Sequence, residues 1–174
     1  MKAGVLDTNV LLRFFLQDDP KQSPAATAFF KKAEDENIDL FLQDATVAEV
    51  TFVMDRVFRR SRIQIANALL DFIQNPFVTV QNPVVLTDAL LRYRNHSIDF
   101  PEALVGALAV SMKVPAVSFD KDWRNWPASY DLSRRQIIIY IDEPLVPPAP
   151  SVAKCPMAPM LPLRLRRLLA THAG

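Results

Sequence analysis

Apolar positions along this chain fall into two kinds of pattern, short continuous runs and longer stretches at helical spacing. Residues 3–7 are a short apolar run that ends on Asp7, and "NVLLRFFLQ" then spaces its apolar residues as a helix would, stopping before Pro20. Ser23 before Pro24 predicts a helix N-cap with proline in the first turn, leading into "AATAFFKKAEDEN". "IDLFL" at 38–42 predicts a second strand. Asp44 is placed to cap the next helix, with Val47, Val50, Met54, Val57 and Phe58 as its expected buried face. Ser61 opens a helix through Ile73, closed by Asn75 and Pro76. "FVTVQ" at 77–81 predicts a third strand, with helices following over about 84–95 and 100–112. "PAVSF" at 115–119 predicts a fourth strand ending on Asp120, and "IIIYI" at 137–141 a fifth.

Strands separated by helices imply parallel pairing, because a parallel crossover needs a dozen or more residues. The expected class is α/β, a sandwich with a central, mainly parallel sheet flanked by helices. At 174 residues the chain suits one domain with an appendage. The pattern breaks at Pro144. Seven of the 14 prolines lie between there and Pro162, so residues 1–143 are read as the domain and 144–174 as a proline-rich, poorly ordered tail. "LPLRLRRLLA" near the end has the make-up of a short basic amphipathic helix.

Composition then removes several functions. Cys155 is the only cysteine and His96 and His172 the only histidines, so a thiolate cluster or histidine-rich zinc centre cannot be assembled. Gly4, Gly106 and Gly174 are too few for a phosphate-cradling loop. No apolar run reaches the roughly 18 residues of a spanning helix, and the start lacks a charged-then-apolar leader, so a cytoplasmic protein without membrane attachment is expected. The net charge of +1 hides an asymmetry: no acid follows Glu143, whereas Lys154, Arg164, Arg166 and Arg167 do, leaving 16 basic and 19 acidic residues before the tail.

The acids supply the candidate chemistry. In an open parallel sheet, functional groups gather beyond the carboxyl ends of the strands, where chain order reverses. Asp7 and Asp120 end two predicted strands, Glu49 lies just over one turn into the helix after the second strand, and Asp99 and Glu102 start the helix before the fourth. Each has a structural alternative. Asp7 can cap a helix, Glu49 can be a solvated helix residue, Asp99 and Glu102 match a capping box, and Asp120 can be a turn residue. Together they would repel unless a cation neutralised them, and oxygen-only donors select Mg²⁺ or Mn²⁺. Such ions serve phosphoryl chemistry.

"LDTNVLLRFF", "VAEVTFVM", "DFPEALVGALA" and "VSFDKDW", in this order and spacing over residues 1–142, resemble the PIN-domain ribonucleases, in particular VapC-type toxins. The resemblance implies a PIN-like three-layer sandwich and a Mg²⁺- or Mn²⁺-dependent endoribonuclease that leaves a 5′-phosphate and a 3′-hydroxyl. Its acidic site would be Asp7, Glu49, Glu102 and Asp120, with Asp7, Asp120 and Glu102 holding the metal. Thr8, Asn9 and Ser118 match supporting positions, Thr8 and Asn9 being expected to orient Asp7. Glu102 departs from the aspartate usual there, which shifts a carboxylate by about one C–C bond where placement within about 0.5 Å matters. The resemblance also implies a homodimer and a small antitoxin partner, and Val10, Phe14, Phe15 and the helix at 61–73 offer spare apolar surface for them.

An RNA substrate needs positive surface. "DRVFRRSR" supplies Arg56, Arg59, Arg60 and Arg62, and Arg13, Lys121 and Arg124 flank the acidic segments. Trp123 and Trp126 read as core residues, with base stacking as the alternative. The rival reading is a PIN-like module that binds RNA or protein without cutting. An aspartyl-nucleophile phosphatase also begins with an aspartate after the first strand, but it needs a second one two residues on, where this chain has Asn9.

Overall fold

The computed structural model describes residues 2–118 and the strand at 139–140. In chain order the elements are β1 (Ala3–Val5), α1 (Thr8–Leu16), α2 (Gln22–Asp35), β2 (Asp39–Leu42), α3 (Asp44–Arg56), α4 (Arg62–Phe72), β3 (Val78–Val80), α5 (Pro83–Asn95), α6 (Phe100–Met112), β4 (Val117–Ser118) and β5 (Ile139–Tyr140). This is the α/β architecture expected from the sequence, a parallel three-stranded sheet flanked by helices. Asp120, Lys121, Trp123, Arg124, Trp126 and the tail at 144–174 lie outside the described residues. Among the described residues, no helix is long and apolar enough to cross a membrane.

The sheet runs β1-β2-β3, all parallel, with Val5 opposite Phe41 and Phe41 opposite Thr79. Chain order does not reverse within it, so the switch point expected near Asp7 is not seen in this sheet; β4 pairs with β5 in a separate two-stranded one. Strand alternation sends Leu40 and Leu42 into the core, each at most 2% exposed, while Phe41 and Val5 stand on an exposed face among the described residues. Leu6, Leu11, Val47, Val50, Leu69, Leu86 and Leu90 pack with the strands in a single core cluster.

The α1 helix leaves β1 after a two-residue turn and ends at Gln17, which takes the left-handed conformation and bonds its side-chain amide to the Phe14 carbonyl at 2.7 Å. Phe14, Phe15, Phe30 and Phe72 then stack edge to face between α1, α2 and α4, the closest pair having ring centroids 4.7 Å apart.

Two helix starts differ from expectation. Ser23 does not cap α2. It lies buried inside the first turn with Pro24, while the Asp19 carboxylate accepts from the backbone N–H groups of Lys21 (2.9 Å) and Gln22 (2.7 Å). Those two bonds hold the Asp19 carboxyl below its ordinary pKa. Asp44 is the first residue of α3 rather than its cap, and burial raises its carboxyl pKa. The α3 helix stops at Arg56, so Val57 and Phe58 leave the buried face and are exposed. Ser61 opens α4 as expected, and with Gln64 it forms a capping box there.

Candidate functional site

The carboxyl end of β1 carries the first acid. Asp7 is exposed and caps α1, its Oδ2 accepting from the Asn9 backbone N–H at 3.1 Å. A carboxylate offers about four lone-pair sites, so this single bond leaves Asp7 further acceptor capacity. Thr8, only 5% exposed, donates its hydroxyl to Glu49 Oε2 at 2.6 Å. The expected support is therefore divided: Asn9 orients Asp7 through its main chain, and Thr8 orients Glu49.

Parallel pairing explains why these groups meet. The ends of β1 and β2 are held side by side by the ladder and by the Leu6 N–H donating to the Phe41 carbonyl at 2.9 Å. The α3 helix then rises from the β2 end, and the buried Thr46 hydroxyl donates back to the Leu6 carbonyl at 3.4 Å. Glu49 follows Thr46 by three residues, nearly one turn, so it projects on the side facing the start of α1. Thr46 was not singled out from the sequence; its only signal there is a β-branched hydroxyl in the first turn of a helix.

The second half of the site is built differently. Asp99 occupies the N-cap position of α6, and Glu102 at N3 accepts from the Asp99 backbone N–H at 3.2 Å. The Asp99 carboxylate turns to α3 and α4, pairing with Arg62 at 3.1 Å and Arg56 at 3.5 Å. The capping-box alternative is thus realised in the Glu102 arm. Among the described residues no three acid, histidine or cysteine side chains are grouped to hold a metal ion. Asp7 and Glu49 are joined through Thr8, Glu102 sits in its cap, and Asp120 lies outside the described residues. Ser118 ends the described part of β4.

The arginines also separate. Arg62 is directed inward, donating to the His96 carbonyl at 3.3 Å, to the Ile98 carbonyl and to Asp99 at 3.1 Å, and its guanidinium lies 5.0 Å from the centre of the Tyr93 ring. Arg56 is engaged with Asp99 and, at 3.9 Å, Asp55. Arg59 and Arg60 are exposed in the α3–α4 connection. Arg13 pairs with Asp18 at 2.8 Å, which raises its pKa.

As to donor chemistry, Asp7 and Glu49 are exposed carboxylates with hard oxygen donors, the kind of ligand that Mg²⁺ or Mn²⁺ prefers. In comparisons with known proteins, a family profile described as the PIN domain matches residues 4–128. No curated protein and no solved structure matches the chain.

Proposed function

We propose that this chain, which belongs to the PIN-domain family, a fold generally of nucleases, is a divalent-metal-dependent endoribonuclease that hydrolyses RNA phosphodiester bonds. The observation that carries the reading is the 2.6 Å bond from Thr8 to Glu49, which ties the helix bearing one exposed carboxylate to the turn bearing another. A purely structural role for Glu49 needs no such partner, because an exposed helix glutamate is satisfied by water.

In this reading Asp7 and Asp120 hold the ion, Glu49 shares it or orients the attacking water, and Glu102 completes the shell through the carboxylate oxygen left free by its cap. Mg²⁺ or Mn²⁺ in such a site supplies a lowered pKa for water and neutralises charge on the phosphate. The chain's own part is positional. Thr8 fixes the carboxylate of Glu49, the Asn9 N–H fixes that of Asp7, and exposed Arg59 and Arg60 offer charge for the RNA backbone.

We further place the protein as the VapC-type toxin of a toxin–antitoxin pair, a homodimer with an antitoxin partner. The ordered motifs support this, as does an apolar groove of about 550 Å³ between α1, α2 and α4, walled by Phe14, Phe15, Phe30, Phe72 and Phe77. Such a groove suits the apolar side of a partner helix.

Asp7→Asn and Asp120→Asn, each assayed on RNA with Mg²⁺ or Mn²⁺, test the nuclease reading. Loss of cleavage in both is expected, and unchanged cleavage in both rules out the assignment. The capped state of Glu102 favours one second reading, a PIN-like module that binds RNA or protein without cutting. Titration with Mn²⁺ separates the two, since only the nuclease has a site for the ion.

A further inference from the structure

A mainly apolar cavity with a few polar groups in its wall lies near the acidic segments and has no role in the mechanism above. At the junction of α3, α5 and α6, about 100 Å³ is walled by residues that include Phe52, Asp55, Arg56, Tyr93, Asp99 and Pro101. Tyr93 is 2% exposed, and its buried hydroxyl has no hydrogen-bond partner among the described residues. Leaving such a group unpaired is costly, so a donor held in this way marks a place where an acceptor belongs. Burial, with Asp55 adding to it, pushes the phenol up to about 12, and the hydroxyl keeps its proton at neutral pH.

The acceptors in the wall are not equally free. Asp99 is shared by Arg62 and Arg56, whereas among the described residues Asp55 makes only a long 3.9 Å pair with Arg56. At the rim, Phe52 is 62% exposed, so its ring is open to a stacking partner. Phe52 and Arg56 follow Glu49 at i+3 and i+7, so all three share one side of α3. At 1.5 Å per residue, Asp55 is about 9 Å along the helix axis from Glu49, within reach of a neighbouring nucleotide.

Resting on the nuclease reading, we propose that this cavity receives the pairing edge of an unpaired guanine flanking the cleaved phosphate. Phe52 stacks on the base, Asp55 accepts from its N1–H and N2–H₂ groups, and the Tyr93 hydroxyl donates to O6. Guanine alone among the four bases sets two donors side by side next to a carbonyl, which is the complement of a carboxylate beside a hydroxyl. A volume of about 100 Å³, roughly the liquid share of three waters, admits that edge and leaves the ring outside against Phe52.

The test is fluorescence anisotropy on the full chain in EDTA, so that no strand is cut. The probes are uridine oligoribonucleotides carrying one guanine, inosine or adenine. The guanine strand is expected to bind about tenfold tighter than the adenine strand, with inosine, which lacks the N2 amino group, between them. Tyr93→Phe, which removes one oxygen and keeps the ring, and Asp55→Asn should each erase the preference. Phe52→Ala, at an exposed position, should weaken every strand by about tenfold. Equal binding of all three strands, binding of none, or a preference that survives both substitutions overturns the proposal and leaves the cavity to ordered water. Cleavage of the same strands with Mn²⁺ is scored separately. Cutting without base preference removes only the guanine pocket, and preference without cutting removes only the nuclease.

Discussion

Thr8 and Glu49, 41 residues apart, are joined by a 2.6 Å bond from a buried hydroxyl to an exposed carboxylate. The bond crosses from the turn after β1 to the first turns of α3, so it reports directly on how the sheet end and the helix are assembled. It is short because its acceptor is charged.

Removing that donor while keeping its shape should therefore act on the site more than on the fold. Thr8→Val is expected to weaken Mn²⁺ binding and RNA cleavage by about 10–100-fold, the usual cost of losing a group that orients a ligand. Thr8→Ser should restore most of both. Equal loss in the serine and valine variants would count against a role for the hydroxyl.

Glu102 separates capping from chemistry. Glu102→Gln keeps an oxygen that can accept from the Asp99 N–H, so the thermal midpoint should hold. Cleavage should fall, because the amide loses the negative charge a cation needs. If cleavage and midpoint both hold, Glu102 is a cap alone.

Tyr93 makes stability depend on alkaline pH. Its folded pKa, about 12, lies above the ordinary value of 10.0, so between those values the folded chain keeps a proton that the unfolded chain releases. The contribution is full below pH 10 and is lost as pH rises through about 12, by up to ~3 kcal/mol. Urea unfolding of wild type and Tyr93→Phe from pH 9 to pH 12 should show a decline that is shallower in the variant.

Arg59 and Arg60 are the exposed cations of the α3–α4 connection. If each meets one phosphate of a single strand, the double alanine variant should lower the slope of log affinity against log salt by about 1.4. An unaltered slope places the RNA elsewhere.

Much of this architecture was legible in the chain. Apolar runs bounded by Asp7, Asp44 and Pro76 give the strands to within two residues at each end, and Ser61 gives the start of α4 from local capping chemistry. The cap of α2 was misread because Ser-Pro is a strong local signal, yet Asp19 satisfies two backbone donors from outside the first turn and Ser23 is drawn into the core. Asp7 just past β1 and Glu49 in the second turn of α3 were also visible as candidates, since strand ends and early helix turns are local features.

Their partners were not. That Thr8 serves Glu49 rather than Asp7, that Arg62 lies over Tyr93 instead of facing solvent, and that Tyr93, whose hydroxyl has no partner among the described residues, lines one cavity with Asp55 follow from contacts between residues about 30–40 positions apart. Sequence periodicity decides which face of an element is buried. Only parallel pairing of β1 with β2, and the packing of α3 against α6, decides which polar group on that face meets which, because hydrogen bonds act over about 3 Å and spacing along the chain cannot fix distance at that scale.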